Sequence, residues 1–189
     1  PFGDTVTPTV AANVNQVITC INTNATITAT GIAPTGATIE WYNPSNVLIP
    51  GDNPLDPDRV VTDSGTYTVK VYAPGFTGCF AQATVVVEKN NTPPIAVAGP
   101  DFTKTCISNP DGGSIGEAAE AGFTYSWTSS PAGFTSTAAN PTVNPSVTTT
   151  YTVTKTHTAS GCSDTDEVIV TVNQPTVVAV AGSDFTKTC

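Results

Sequence analysis

Five cysteines, a single histidine and two short acidic runs are the side chains of this sequence whose chemistry goes beyond packing. Thiols bridge, ligate zinc or act as nucleophiles. Zinc sites want two cysteines separated by about two to four residues, and Cys20, Cys79, Cys106, Cys162 and Cys189 all stand far apart. Nucleophilic catalysis needs a base held against the nucleophile. His157 is the lone imidazole, lies in a run of alternating threonines, and reads as a surface residue. No Gly-rich phosphate loop and no HExxH motif occurs. The reading is therefore of no catalytic residue, no bound organic cofactor and no enzyme. Asp52, Asn53, Asp56 and Asp58 offer hard oxygen ligands suited to Ca²⁺, though without EF-hand spacing, and compete with a plain acidic turn. Asp164, Asp166 and Glu167 form a second, weaker candidate of the same kind.

The elements that carry these residues are strands. Charged residues are only 11% of the chain and hydrophobic ones 39%, while threonine, valine, glycine and proline dominate. β-Branched residues suit a pleated, half-buried surface, and Gly and Pro mark its turns. The net charge of -9 repels phosphate backbones and anionic headgroups, which excludes nucleic acid as a natural partner. No apolar run reaches the roughly 18 residues of a membrane span.

A repeat organises the strands. Asp101-Phe102-Thr103-Lys104-Thr105-Cys106 recurs as Asp184-Phe185-Thr186-Lys187-Thr188-Cys189 (184 − 101 = 83). Trp41 matches Trp127 (127 − 41 = 86), Tyr67 matches Tyr151 (151 − 67 = 84), and Gly78-Cys79 matches Gly161-Cys162 (162 − 79 = 83). A weaker first copy of the hexapeptide ends at Cys20. The expected organisation is repeat 1 at 8–92, repeat 2 at 93–175, and the first strand of a third repeat at 176–189, with 1–7 the end of a preceding unit or a linker. Asn90–Pro94 and Asn173–Pro175 would be short, extended linkers.

Within repeat 2, strand A is expected in two pieces, Ile95–Ala98 and Phe102–Ile107, broken at Gly99-Pro100. Strand B follows at Ser114–Ala118, C at Phe123–Thr128, an edge strand at 141–145, F at Thr149–His157 and G at Glu167–Val172. Repeat 1 places F and G at Thr66–Tyr72 and Ala83–Val87. Alternation along F turns Tyr151 and Val153 to the core and the threonines outward. Asp63-Ser64-Gly65-Thr66-Tyr67 has the form of the tyrosine corner of immunoglobulin-like domains, and Trp41 and Trp127 take the place of their central aromatic. Val69 and Val153 stand where the second antibody cysteine would be, so the usual bridge between strands B and F is absent. The fold class is all-β: tandem immunoglobulin-like (PKD-like) β-sandwiches with a core around Trp41, Tyr67, Trp127 and Tyr151.

Each copy owns two cysteines, one after strand A and one in the F–G turn. The expected pairs are Cys20–Cys79 and Cys106–Cys162, one bridge per unit, with Cys189 bonded to a following repeat. Bridges place the chain in an oxidising compartment, hence outside the cell.

Ala-Val-Ala-Gly-Pro-Asp (96–101), Tyr-Ser-Trp (125–127), Thr-Tyr-Thr-Val-Thr (150–154) and Gly-Cys-Ser-Asp-Thr-Asp (161–166) resemble the PKD-like and immunoglobulin-like repeats of giant cell-surface adhesins of gliding, type IX-secreting bacteria. The resemblance implies an extracellular location on a bacterial surface. It also implies a structural or adhesive role as a rod-like stalk whose partners are neighbouring repeats, surface glycans or other copies of itself. Subunit of an extracellular filament or surface layer, and spacer or sugar-binding module of a secreted polysaccharide-degrading enzyme, are the alternatives. Asp4-Thr5-Val6 is similar to the O-glycosylation sites of such bacteria, at Thr5. Tyr42, Tyr72 and Phe76 are the aromatics suited to a sugar.

Overall fold

The computed structural model describes residues 7–51, 53–76, 78–173, 182 and 187. Thr5, Asp52 and Cys189 lie outside the described residues, as does nearly all of the expected third-repeat strand. Every regular element among the described residues is a β-strand.

Two compact units emerge, the first holding the residues up to Pro94 together with His157–Cys162, the second Ile95–Thr156 and the residues from Ser163 onward. The first contains β1 (Thr9–Val14), β2 (Ile18–Thr19), β3 (Ala25–Ala33), β4 (Thr38–Tyr42), β5 (Leu48–Ile49), β6 (Asp58–Val61), β7 (Gly65–Tyr72), β8 (Phe80–Val87) and β9 (Lys89–Asn90). One sheet has the order β1-β3-β6 and the other β5-β4-β7-β8, while β2 and β9 pair parallel beside them. Period-two alternation drives the assembly: along β7, Tyr67, Val69 and Val71 point inward and Thr66, Thr68 and Lys70 outward. The inward residues meet Ile27, Ala29, Ile39 and Trp41 in one core. Val69, Ile27 and Trp41 are fully buried where a B–F disulfide would otherwise sit. Trp41 Nε1 donates to Pro57 O at 3.0 Å, which satisfies its one polar atom inside the core. Burying an indole of this size removes about 150–250 Å² from water, worth up to roughly 4–6 kcal/mol.

The second unit contains β10 (Phe102–Lys104), β11 (Gly113–Ser114), β12 (Phe123–Ser130), β13 (Thr142–Val143), β14 (Thr149–His157) and β15 (Ser163–Val172). Its main sheet runs β10-β15-β14-β12, and β11 pairs with β13. Trp127, Tyr151, Val153, Val168 and Val170 form its core, and Trp127 Nε1 donates to Ala138 O at 2.9 Å. The architecture is that of immunoglobulin-like β-sandwich domains. Its signature corner is in place, with the Tyr67 hydroxyl donating to Asp63 O at 2.9 Å. Burial, and secondarily the Asp63 charge, push that hydroxyl's pKa up.

Expected strands A and B and the 141–145 edge of repeat 2 are reduced, the second piece of A to Phe102–Lys104 and the edge to Thr142–Val143. Ile95–Ala98 makes no ladder, because the amides of Ala96 and Ala98 donate to the side chains of Asp164 (3.0 Å) and Asp166 (2.8 Å). Strand B stops at Ser114, since Gly116 takes φ +83 and its amide bonds Ala98 O at 2.7 Å. A Cβ there would lie 2.1 Å from Ala139 O, so only glycine fits this approach.

Candidate functional site

The cysteines pair differently from the expectation. Cys20 bonds Cys162, with Cα atoms 5.1 Å apart, and Cys79 and Cys106 are exposed, unbonded thiols. Cys20–Cys79 and Cys106–Cys162 are therefore both corrected. The physical reason lies in the β14–β15 turn. Its strands belong to the second unit, but His157–Cys162 packs within the first, where the Cys20 turn is. Cys162 is fully buried there, its sulfur 3.8 Å from Asn90 O. The turn is held by His157 N donating to Cys162 O (2.9 Å) and Gly161 N donating to His157 O (2.8 Å). Gly161 has φ +67, and a Cβ on it would meet the Ile21 side chain at 2.2 Å.

His157 is thus partly buried rather than a surface residue, and its Nδ1 lies 2.9 Å from the Ser160 hydroxyl. A His–Ser pair invites a catalytic reading. Ser160 is only 1% exposed, so its oxygen has no approach for a substrate, and the pair serves to shape the turn.

Within the loop candidate, Asn53 and Asp56 are occupied locally. Asn53 Oδ1 accepts from Leu55 N at 2.9 Å, and Asp56 Oδ1 from Asp58 N at 3.0 Å. Asp56 also pairs with the buried Arg59 guanidinium at 3.4 Å, which in turn donates to the Asp56 and Asp58 carbonyls. A cation is already in the loop. Asp164 and Asp166 hold the 95–98 segment, and Glu167 accepts from the Thr152 hydroxyl at 3.0 Å. Among the described residues no three His, Cys, Asp or Glu side chains converge as a metal site.

A buried lysine paired with two partly exposed carboxylates escaped the sequence reading. Lys155, on the core face of β14, is 4% exposed and donates to Glu117 at 2.6 Å and Glu120 at 2.9 Å, with its ammonium 4.7 Å from the Phe123 ring centroid. Its hydrogen bonds to Glu117 and then Glu120 raise its pKa against the opposing effect of burial. Alternating with Tyr151 and Val153, it had a legible address, but a lysine at a core position reads as an exception until its carboxylates are located.

Several aromatics gather on the outer face of β4, β7 and β8. Tyr72 and Phe80 rings are 5.5 Å apart, and Lys70 Nζ sits 4.4 Å from the Tyr42 ring centroid and 5.5 Å from that of Phe80. The Tyr42 hydroxyl donates to Glu40 at 2.6 Å, and that bond, with desolvation behind it, drives the hydroxyl's pKa upward. Phe80 and Phe76 are 46% and 65% exposed. A shallow hollow beside them is lined by Thr38, Glu40, Tyr72 and Phe76. Flat rings flanked by a carboxylate and an ammonium suit stacking against, and hydrogen bonding to, a sugar.

No family model matches the chain, and no curated protein sequence matches it. Solved structures do. A Ca²⁺-stabilized adhesin that helps an Antarctic bacterium reach out and bind ice is 13% identical, with a TM-score of 0.50 over 91% of this chain and 50% of its own. Three N-terminal domains of the highly immunogenic outer capsid protein of bacteriophage RB49 are 16% identical, with a TM-score of 0.45 over 87% of this chain and 59% of theirs. Sidekick-1 immunoglobulin domains 1–4 are 14% identical, with a TM-score of 0.43 over 89% of this chain and 48% of theirs. The chain spans roughly half the length of these structures, and the likeness to the adhesin is one of fold.

Proposed function

We propose that this chain is a structural and adhesive segment of a long secreted bacterial surface protein, without enzymatic activity, whose partners are neighbouring repeats and surface glycans. The exposed aromatic face around Tyr42, Lys70, Tyr72 and Phe80 carries the reading. Rigid strands hold the rings, so little conformational entropy is lost on binding. The disulfide supports an oxidising, extracellular setting. The likeness to an ice-binding bacterial adhesin is consistent with it, as is the resemblance to surface-adhesin repeats. No helix among the described residues is long and apolar enough to cross a membrane.

The test is a screen of the purified chain against immobilised glycans and solid surfaces, repeated with Tyr42→Ala and Phe80→Ala. Aromatic contacts in a binding site are worth about 1–3 kcal/mol, so each substitution should weaken binding about fivefold or more. Absence of binding, or binding that ignores both substitutions, sinks the adhesive part of the reading.

A further inference from the structure

The observed bond joins a cysteine of the first copy to one of the second, and the two thiols it leaves over are the repeat equivalents of its own two halves. Cys106 corresponds to Cys20, and Cys79 to Cys162. The equivalence extends to local structure. Thr19 N donates to Asn22 O (2.8 Å) while Asn22 N and Ile21 N donate to Thr19 Oγ1 (3.0 and 3.3 Å). Around Cys106, Thr105 N donates to Ser108 O (2.8 Å) while Ser108 N and Ile107 N donate to Thr105 Oγ1 (2.7 and 3.1 Å). Both turns follow a strand paired parallel to the last strand of its copy, β2 on β9 and β10 on β15. The Gly-Cys tips match as well, with Ala73 N donating to Cys79 O (3.2 Å) as His157 N does to Cys162 O.

The bonded and unbonded halves differ in what surrounds them. Ile21 packs against Gly161 beside the formed bond and is 69% exposed, while its equivalent Ile107 is 92% exposed. A Cβ on Gly161 would strike Ile21, while one on Gly78 would meet nothing within 4 Å among the described residues. Cys162 is buried, and Cys79 is exposed.

We infer that the Cys20–Cys162 bond is one link of a staggered series, in which the turn cysteine of each copy bonds the tip cysteine of the next copy. Cys106 is then the turn half of a link to a later copy, and Cys79 the tip half of a link to an earlier one. Between separate molecules the same rule joins Cys106 of one chain to Cys79 of a second. The link forms by exchange with a low-molecular-weight disulfide such as oxidised glutathione. One cysteine thiolate attacks it and expels a glutathione thiolate; the second attacks the mixed disulfide and expels the other. Two cysteines are oxidised, one glutathione disulfide is reduced, and the two thiol protons pass to the buffer. The inference does not depend on adhesion, since a spacer or filament uses the same bond.

The experiment takes the chain with Cys189→Ser, equilibrates it in a mixed reduced and oxidised glutathione buffer, and identifies linked peptides by mass spectrometry without reduction. Expected are Cys20–Cys162 within each chain and Cys79–Cys106 between chains, the latter in excess over Cys79–Cys79 and Cys106–Cys106. Ile107→Asp should reduce the Cys79–Cys106 yield about fivefold and leave Cys20–Cys162 unchanged, as expected for losing the roughly 40 Å² of isoleucine surface that a formed link covers. A statistical mixture of the three interchain links, no interchain link, or Cys20–Cys79 with Cys106–Cys162 overturns the inference. Loss of glycan binding would not bear on it.

Discussion

Removing the carboxylates that face Lys155 should harm the second unit more than removing the lysine itself. The Lys155 side chain is 6% exposed, whereas those of Glu117 and Glu120 are 27% and 57% exposed. Water can therefore solvate the acids without the lysine, but not the lysine without the acids. Hydrogen bonds to charged groups contribute about 1.5–3 kcal/mol each when water is kept out, and surface pairs about 0–1. Glu117→Ala should accordingly cost about 2–3 kcal/mol and Glu120→Ala less than about 1. The double substitution leaves a buried ammonium unpaired and should cost about 3–5 kcal/mol. Lys155→Met places an apolar chain among Phe123 and Tyr125 and should change stability by no more than about 1 kcal/mol. Urea unfolding followed by Trp127 fluorescence, with Trp41→Phe as the common background, reads the second unit. If Lys155→Met proves more damaging than the double carboxylate variant, or Glu120→Ala more damaging than Glu117→Ala, the desolvation argument fails.

The same cluster sets a pH signature. A lysine whose folded pKa is raised stabilises fully below its unfolded value of about 10.4, and that contribution is lost as pH climbs through the folded value. The buried hydroxyls of Tyr67 and Tyr151 are also raised, so they lose stability in the same alkaline direction. Melting temperature should be flat with respect to these groups from pH 6 to 9 and fall above about pH 10, less steeply in Lys155→Met. Asp166→Ala should cost about 2 kcal/mol and speed amide exchange at Ala98, because its carboxylate is that amide's acceptor. Tyr67→Phe should cost about 1 kcal/mol in the first unit, read by Trp41 fluorescence in a Trp127→Phe background; no loss would remove the corner's energetic role. Adding EGTA should leave the melting curve unchanged, because Arg59 already pairs with Asp56; a downward shift would favour the calcium reading.

The parts legible in the sequence were those with a strong period. β14 runs over Thr149–His157 because Tyr151 and Val153 alternate with threonines, and both tryptophans lie buried in the two cores. β15 begins earlier than Glu167, at Ser163, because its polar first half earns its place by pairing with β14 rather than by burial. The 95–98 segment misled because its alternating Ala and Val suggest a ladder, and nothing local announces that Asp164 and Asp166, about 68 residues on, supply the acceptors. Cysteine pairing was not decidable from the repeat at all. A periodic sequence carries the same landmarks whether each turn cysteine bonds its own copy's tip or the next one's. Only the packing of His157–Cys162 within the first unit separates the two.

That distinction is open to one direct measurement. Peptide mapping of the oxidised, monomeric chain under non-reducing, acidic conditions should yield a single linked pair carrying Cys20 and Cys162, with Cys79 and Cys106 recovered as alkylated thiols. Recovery of peptides joining Cys20 to Cys79 and Cys106 to Cys162 would contradict the fold described here at its covalent centre.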